Sequence, residues 1–172
     1  MLTKKIEKAL NEQIVLEAYA SNSYLAMASW CEVKGFRGAT KFYYAQSNEE
    51  RVHMLKLVKY VNASGAHANI TSVDGPERAY KTLQETFEAA LKQEREVSKS
   101  INKLVELTFN DKDYTTHNFL QWYVQEQHEE ESLFKSVLDL FALGGKDGKS
   151  LIIIDNEIMK IRAEVEQEEK SE

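Results

Sequence analysis

Four apolar stripes in this chain are each interrupted by a carboxylate, and one of them also carries an imidazole. Read at spacings of three and four residues, the stripes run as follows. The first is Ile6, Leu10, Ile14, Glu17, Ser21, Tyr24, Ala28, and the second is Ala39, Tyr43, Gln46, Glu50, His53, Leu57, Val61. The third is Leu83, Phe87, Ala90, Glu94, Val97, Ile101, Leu104, and the fourth is Leu120, Tyr123, Gln127, Glu130, Phe134, Val137, Phe141. Each acid stands about 12–16 residues into its segment, so four helices of similar length would bring them to one height whichever way they point. An ionised carboxylate costs several kcal/mol in a core, and like charges raise one another's pKa. A single such Glu reads more simply as solvated or protonated; four at matching heights do not. Together they carry −4, which two divalent cations would balance, and Glu50 and His53 at i and i+3 can reach one ion from one helix face. The set predicts a dinuclear metal site. Glu17 and His53 would hold one ion, Glu94 and Glu130 the other, and Glu50 would be shared.

Oxygen ligands with one imidazole suit iron or manganese, although zinc would also bind. Gln127 is a weak ligand, expected to hydrogen-bond beside the second ion or to bind it loosely. Glu49 adjoins Glu50, and Glu126, Glu129 and Glu130 share a helix face. These acids fit a third site beside the pair, and fit an ordinary solvated face equally well. Tyr24, two turns beyond Glu17, can hydrogen-bond a ligand or supply an electron, with core packing the commoner role of such a residue. Trp122 reads as core. His67, His117 and His128 have no histidine at i+3 or i+4 and receive no metal role.

Positioning such a layer needs long helices. Seven Gly and one Pro in 172 residues fall well below the usual share of roughly 12%, and they cluster at breaks near 35–38, 65–76 and 144–148. With a polar break at 110–113, the segments are about 4–34, 38–64, 82–109, 114–143 and 149–166. Thr82 with Glu85 reads as a capping box, Asp113 or Thr115 as a cap of the fourth segment, and Gly144 as its C-cap. Short first and third links make antiparallel hairpins. The second, about 17 residues long, can cross the bundle's full length, which separates a ferritin-like bundle from a plain up-down one. The expected fold is all-α: a four-helix bundle over about 4–143 with one long crossover, and a short fifth helix at about 149–166, in a single domain spanning 1–172. Leu151, Ile154, Ile158, Ile161 and Val165 make the fifth helix apolar on one side. It must dock on the bundle or pack with copies of itself. The acidic stretch Glu164 to Glu172 is expected to fray.

Composition excludes other classes. A net charge of −6 argues against nucleic-acid binding by bulk positive charge. One cysteine, Cys31, rules out an internal disulfide, a zinc ribbon and a CxxC site, and fits a reducing compartment. No apolar run approaches the roughly 20 residues of a membrane span, and MLTKKIEKALNEQ lacks a signal peptide's apolar core. A cytoplasmic protein is expected.

These residues resemble the bacterial non-haem ferritins, over essentially the whole chain. The resemblance is carried by LNEQIVLEAYASNSYLAMASWC at 10–31, NEERVHM at 48–54 and NFLQWYVQEQHEEESLFKSVLD at 118–139. It implies that Glu17, Glu50 and His53 form the first ferroxidase iron site, and Glu94 and Glu130 the second, with Gln127 beside it. It implies a third iron site from Glu49, Glu126 and Glu129, shared with Glu130, and a tyrosine beside the centre at Tyr24. It implies iron as Fe2+ and Fe3+, oxidation by dioxygen or hydrogen peroxide, and storage as a ferric oxyhydroxide mineral in a homo-oligomeric cage of 24 subunits, with the fifth helix at the four-fold axes. Bacterioferritins carry a second Glu-x-x-His where this chain has Gln127 and Glu130, and their haem-ligating methionine falls at Arg51, so no haem is expected. Rubrerythrins need a cysteine-rich domain that one Cys cannot supply. The 12-subunit DNA-protecting relatives lack the fifth helix. The leading expectation is a ferroxidase that stores iron, with no nucleic-acid or membrane partner. The alternative is a di-iron or di-manganese oxidoreductase without storage, and a third reading is a structural or DNA-associated cage.

Overall fold

The computed structural model describes residues 2–77, 79–145 and 147–169, with the backbone alone for 164–169. Five helices follow one another: α1 Lys4–Lys34, α2 Arg37–Ala63, α3 Leu83–Asn110, α4 Tyr114–Gly144 and α5 Gly148–Glu169. The bundle helices run 31, 27, 28 and 31 residues, the near-equal lengths that the breaks imply. Local chemistry sets their ends. Thr3 and Thr82 accept from the N–H groups of Ile6 and Glu85, and Asp113 caps α4 through Thr116. The Glu85 carboxylate closes the reciprocal half of its box on the Lys81 N–H, one residue before the cap. Gly35, at φ 85°, ends α1 in the left-handed region that glycine adopts without strain. At the end of α4 the cap is Gly145 rather than Gly144, because Gly144 is still helical and the chain turns to positive φ one residue later.

Cross-helix contacts give the topology. The start of α1 lies against the chain leaving α2, where Asn11 bonds His67 and Asn69, so α1 and α2 are antiparallel. Ser98 meets Glu131 and Thr108 meets His117, so α3 and α4 are antiparallel too. Tyr24 reaches Glu94 while Thr3 reaches Asp111, which sets α3 antiparallel to α1. The order is therefore up, down, down, up. The segment 64–82 must run the length of the bundle, with Ala68 packed at one end and Tyr80 at the other. This is the single long crossover that distinguishes the ferritin-like bundle.

The apolar core is in two parts. One holds Tyr24, Phe42, Tyr43, Phe87, Phe134 and Phe141 with their aliphatic neighbours. The other holds Ile6, Leu10, Ile14, Leu57, Ile101, Leu120 and Tyr123. The interrupting acids lie between them in sequence on every helix, at mid-height.

The fifth helix docks on the bundle. Ile154 and Ile158 are buried in the aromatic half of the core, while Ile152 and Ile153 stay largely exposed. Its anchor is polar. The first turn of α2 has no side-chain cap of its own, and Asp155 of α5 supplies one, accepting from the N–H groups of Gly38 and Ala39 at 2.9 and 2.8 Å. A carboxylate there also meets the positive end of the helix dipole. The approach demands glycine, since a Cβ on Gly38 would lie 1.8 Å from the Asp155 carbonyl oxygen. The stretch from Glu164 that is expected to fray has no described side chains, and 170–172 lie outside the described residues. Gly38→Ala should force α5 away from α2 and destabilise the metal-free protein by about 2 kcal/mol. It should also speed thiol labelling of Cys31, which is fully buried beside Asp155. Wild-type labelling kinetics and an unchanged denaturant midpoint would refute this account of the docking.

Candidate metal centre

All four interrupting acids are buried, with Glu17 and Glu94 fully inaccessible and Glu50, Glu130 and His53 nearly so. Glu17, Glu50 and His53 each direct a ligand atom into one small volume, the three atoms lying within 4.8 Å of one another. The His53 Nδ1 faces Glu50 at 3.4 Å, and its Nε2 faces Glu126 at 3.8 Å. Glu17 Oε2, Glu50 Oε1 and His53 Nδ1 are buried without a hydrogen-bond partner. Buried polar atoms are rarely left so. Three in one place, two of them acidic oxygens and one an imidazole nitrogen, are the donor set a divalent cation takes.

The other half of the layer is more fully hydrogen-bonded. Glu94 accepts the hydroxyl of Tyr24 and the amide of Gln127, the latter at 3.0 Å. Gln127 is thus held against Glu94 by hydrogen bonds to its carboxylate and its backbone carbonyl. Glu130 accepts the Gln46 amide at 2.7 Å. Of the acids assigned to a third site, Glu49 and Glu126 join His53 in a second group with ligand atoms within 4.8 Å of one another. Glu129 is not brought to them: it is exposed and accepts from Gln125 at 2.6 Å. His128 is exposed as well.

Burial sets the protonation of the layer. It pushes the Glu50 carboxyl well above the usual carboxylate range, helped by Glu94, Glu17 and Glu130. Glu94 rises to about 7 through burial, against the hydrogen bonds from Tyr24 and Gln127 that favour its anion. Glu130 also rises through burial and the field of Glu49, with Arg162 and Gln46 pulling it back. Burial lowers His53, which leaves its imidazole neutral and able to ligate. The Tyr24 phenol is held protonated by burial and by Glu94, Glu50 and Glu130. Trp122 packs edge-on to His53, with the Lys56 ammonium 3.1 Å from its ring centre.

Three supporting side chains are not among the expected site residues. Gln13, fully buried, donates to Glu17 at 2.7 Å; its place four residues before Glu17 was a usable signal. Gln46 lies in the second stripe and reads there as core. Arg162 had no signal at all. It follows Ile161 on the fifth helix, and only docking brings its guanidinium to Glu49 at 2.8 Å and to the Gln46 carbonyl at 2.6 Å.

Comparison with known proteins identifies the family and the fold. Residues 7–143 match the ferritin-like domain. A probable bacterial non-heme ferritin-like protein of Haemophilus influenzae is 46% identical over 158 residues, covering 92% of this chain and 96% of its own. A bacterial non-heme ferritin of Campylobacter jejuni is 45% identical over 161 residues, with 94% and 96% covered. Among solved structures, an open-pore ferritin from Archaeoglobus fulgidus superposes with a TM-score of 0.90 at 34% identity, covering 92% of this chain and 98% of that one. A mid-height layer of buried acids, a single long crossover and a docked fifth helix therefore sit in a chain that belongs to the ferritin family.

Proposed function

We propose that the chain is an iron-storage ferritin that oxidises Fe(II) within each subunit. The observation that carries this reading is the trio Glu17, Glu50 and His53, buried, converging within 4.8 Å, and with three polar atoms left unsatisfied. Iron is the substrate and the cargo. Glu17 and His53 bind one ion, Glu94 and Glu130 the second, and Glu50 stands between them. Gln13 orients Glu17, and Tyr24 and Gln127 hold Glu94 in place. Glu49 and Glu126, on the far side of His53, form an adjoining third position, which Glu129 joins only by leaving Gln125. Iron supplies the electrons, with dioxygen or hydrogen peroxide as oxidant, and the protein's part is to gather two ions in a dry, acid-lined space. The same reading assembles the chain into a cage of 24 subunits with ferric mineral inside, in a cytoplasmic protein. Among the described residues, no helix is long and apolar enough to cross a membrane. A di-iron oxidoreductase without storage would share the inner ligands. It would differ in size and in how much iron it keeps.

Size-exclusion chromatography with light scattering on the metal-free protein, followed by aerobic Fe(II) addition and an iron count in the same peak, separates the two. A particle of about 24 subunits retaining far more than three irons per chain is expected; a small oligomer holding about two would overturn storage while keeping the ligands. Glu50→Ala, which removes the shared carboxylate, should slow Fe(II) oxidation at least about tenfold more than Gln127→Ala. Similar near-normal rates in both variants would rule out the dinuclear assignment.

The protonated layer also has a consequence for stability. Glu94, at about 7 in the folded chain against an ordinary value of 4.5, binds its proton more tightly when folded. Its stabilising contribution is therefore complete below pH 4.5 and is lost as pH rises to about 7. Glu94→Gln cannot ionise. The metal-free variant should melt about 3 °C or more above wild type at pH 8, and the gap should close at pH 5. A gap independent of pH would contradict the raised pKa.

A further inference from the structure

Arg162 is nine-tenths buried, and its position raises a question of charge. It lies seven residues, two helical turns, beyond Asp155, so the two project from one face of α5. Asp155 fixes that face to the first turn of α2. Arg162 is thereby delivered to Gln46 and Glu49, two and three turns further along α2. One guanidinium nitrogen sits 2.8 Å from Glu49 Oε2, and the other donates to Gln46 Oε1 at 2.6 Å. The second bond orients the Gln46 amide: its oxygen is taken by Arg162, so its nitrogen points at Glu130, 2.7 Å away. A fixed positive charge on the fifth helix thus touches an acid of the outer group directly and an acid of the inner layer through one amide.

We infer that Arg162 is the resident counter-ion of the outer acid group, seated against Glu49 where a third metal ion would bind, so that the ion enters only by displacing the guanidinium and loosening α5 beyond Asp155. This rests on the metal-binding role proposed above for the layer. A guanidinium 2.8 Å from Glu49 Oε2 occupies the side from which a divalent ion would approach that oxygen, and two cations held that close repel each other. Arginine stays protonated at every physiological pH, so the competition cannot be relieved by losing a proton. The exchange is ion for ion: Glu49 trades one cation for another, and the guanidinium moves to solvent. An outer position held under such competition is weak and quickly emptied, which suits an ion in transit rather than one retained.

Zinc is the probe, since it is redox-silent and its count is not blurred by oxidation. In titrations of the assembled, metal-free protein, Arg162→Met should leave the first two zinc ions per chain unchanged and tighten the third about tenfold or more. Arg162→Lys keeps the charge and should hold the third ion close to the wild-type affinity. Tightening by the Lys variant equal to that by Met would remove charge as the cause and overturn the inference. So would a third affinity indifferent to Arg162→Met, with the two inner ions bound normally and the proposed function intact. If the wild type binds no zinc at the inner layer, both readings fall. The wild type gives an independent check that needs no variant to fold. Amide hydrogen exchange over Met159 to Ala163 should accelerate when the third equivalent of zinc binds and not with the first two. Unchanged protection at the third equivalent would refute displacement.

Discussion

Like charges in an apolar interior are the constraint around which this molecule is built. Four carboxylates at one height in a helix bundle repel one another and lose their hydration. Without cations the chain limits that penalty in two ways: it keeps Glu50, Glu94 and Glu130 inclined to hold protons, and it gives Glu17, Glu94 and Glu130 hydrogen-bond donors. Gln13, Tyr24, Gln46 and Gln127 each donate to one of the acids. The apolar cores above and below secure the helices, so that the layer cannot relax by spreading apart. The same crowding of acids that costs the layer stability is what would favour divalent cations within it.

The two halves of the layer are prepared differently. Around Glu17, Glu50 and His53 three buried atoms, one on each residue, lack a hydrogen-bond partner and face one another within the trio. Around Glu94 and Glu130 the acids already accept from neighbouring side chains. The two halves therefore differ in how many polar atoms the protein itself satisfies. His53 links the inner and outer groups, with one nitrogen toward Glu50 and the other toward Glu126.

The fifth helix belongs to the same electrostatic system. Asp155 closes the open end of α2, and Arg162 meets an outer acid. Its apolar side is divided: Ile154 and Ile158 enter the core, while Ile152 and Ile153 face outward. Docking and an outward apolar surface thus coexist on one helix, and the two roles that periodicity leaves open are not exclusive.

Much was legible in the residues alone, for a physical reason. A helix stripe is a local property, and an acid within it is visible wherever the helix finally packs. Glu17, Glu50, His53, Glu94, Gln127 and Glu130 all proved buried, and the helix ends fell within a few residues of the Gly, Pro and polar breaks. Link lengths were enough for the crossover. What the sequence could not determine was which neighbour each polar atom meets, because that depends on helix rotation and on contacts between residues far apart in the chain. Glu129 shares a helix face with Glu126 on spacing, yet the rotation of α4 leaves it outside with Gln125. Gly38 reads as a break, but its need for hydrogen in place of a side chain arises from Asp155, 117 residues away. Nothing in its spacing marks Arg162, and only the docking of α5 makes it a buried charge beside Glu49.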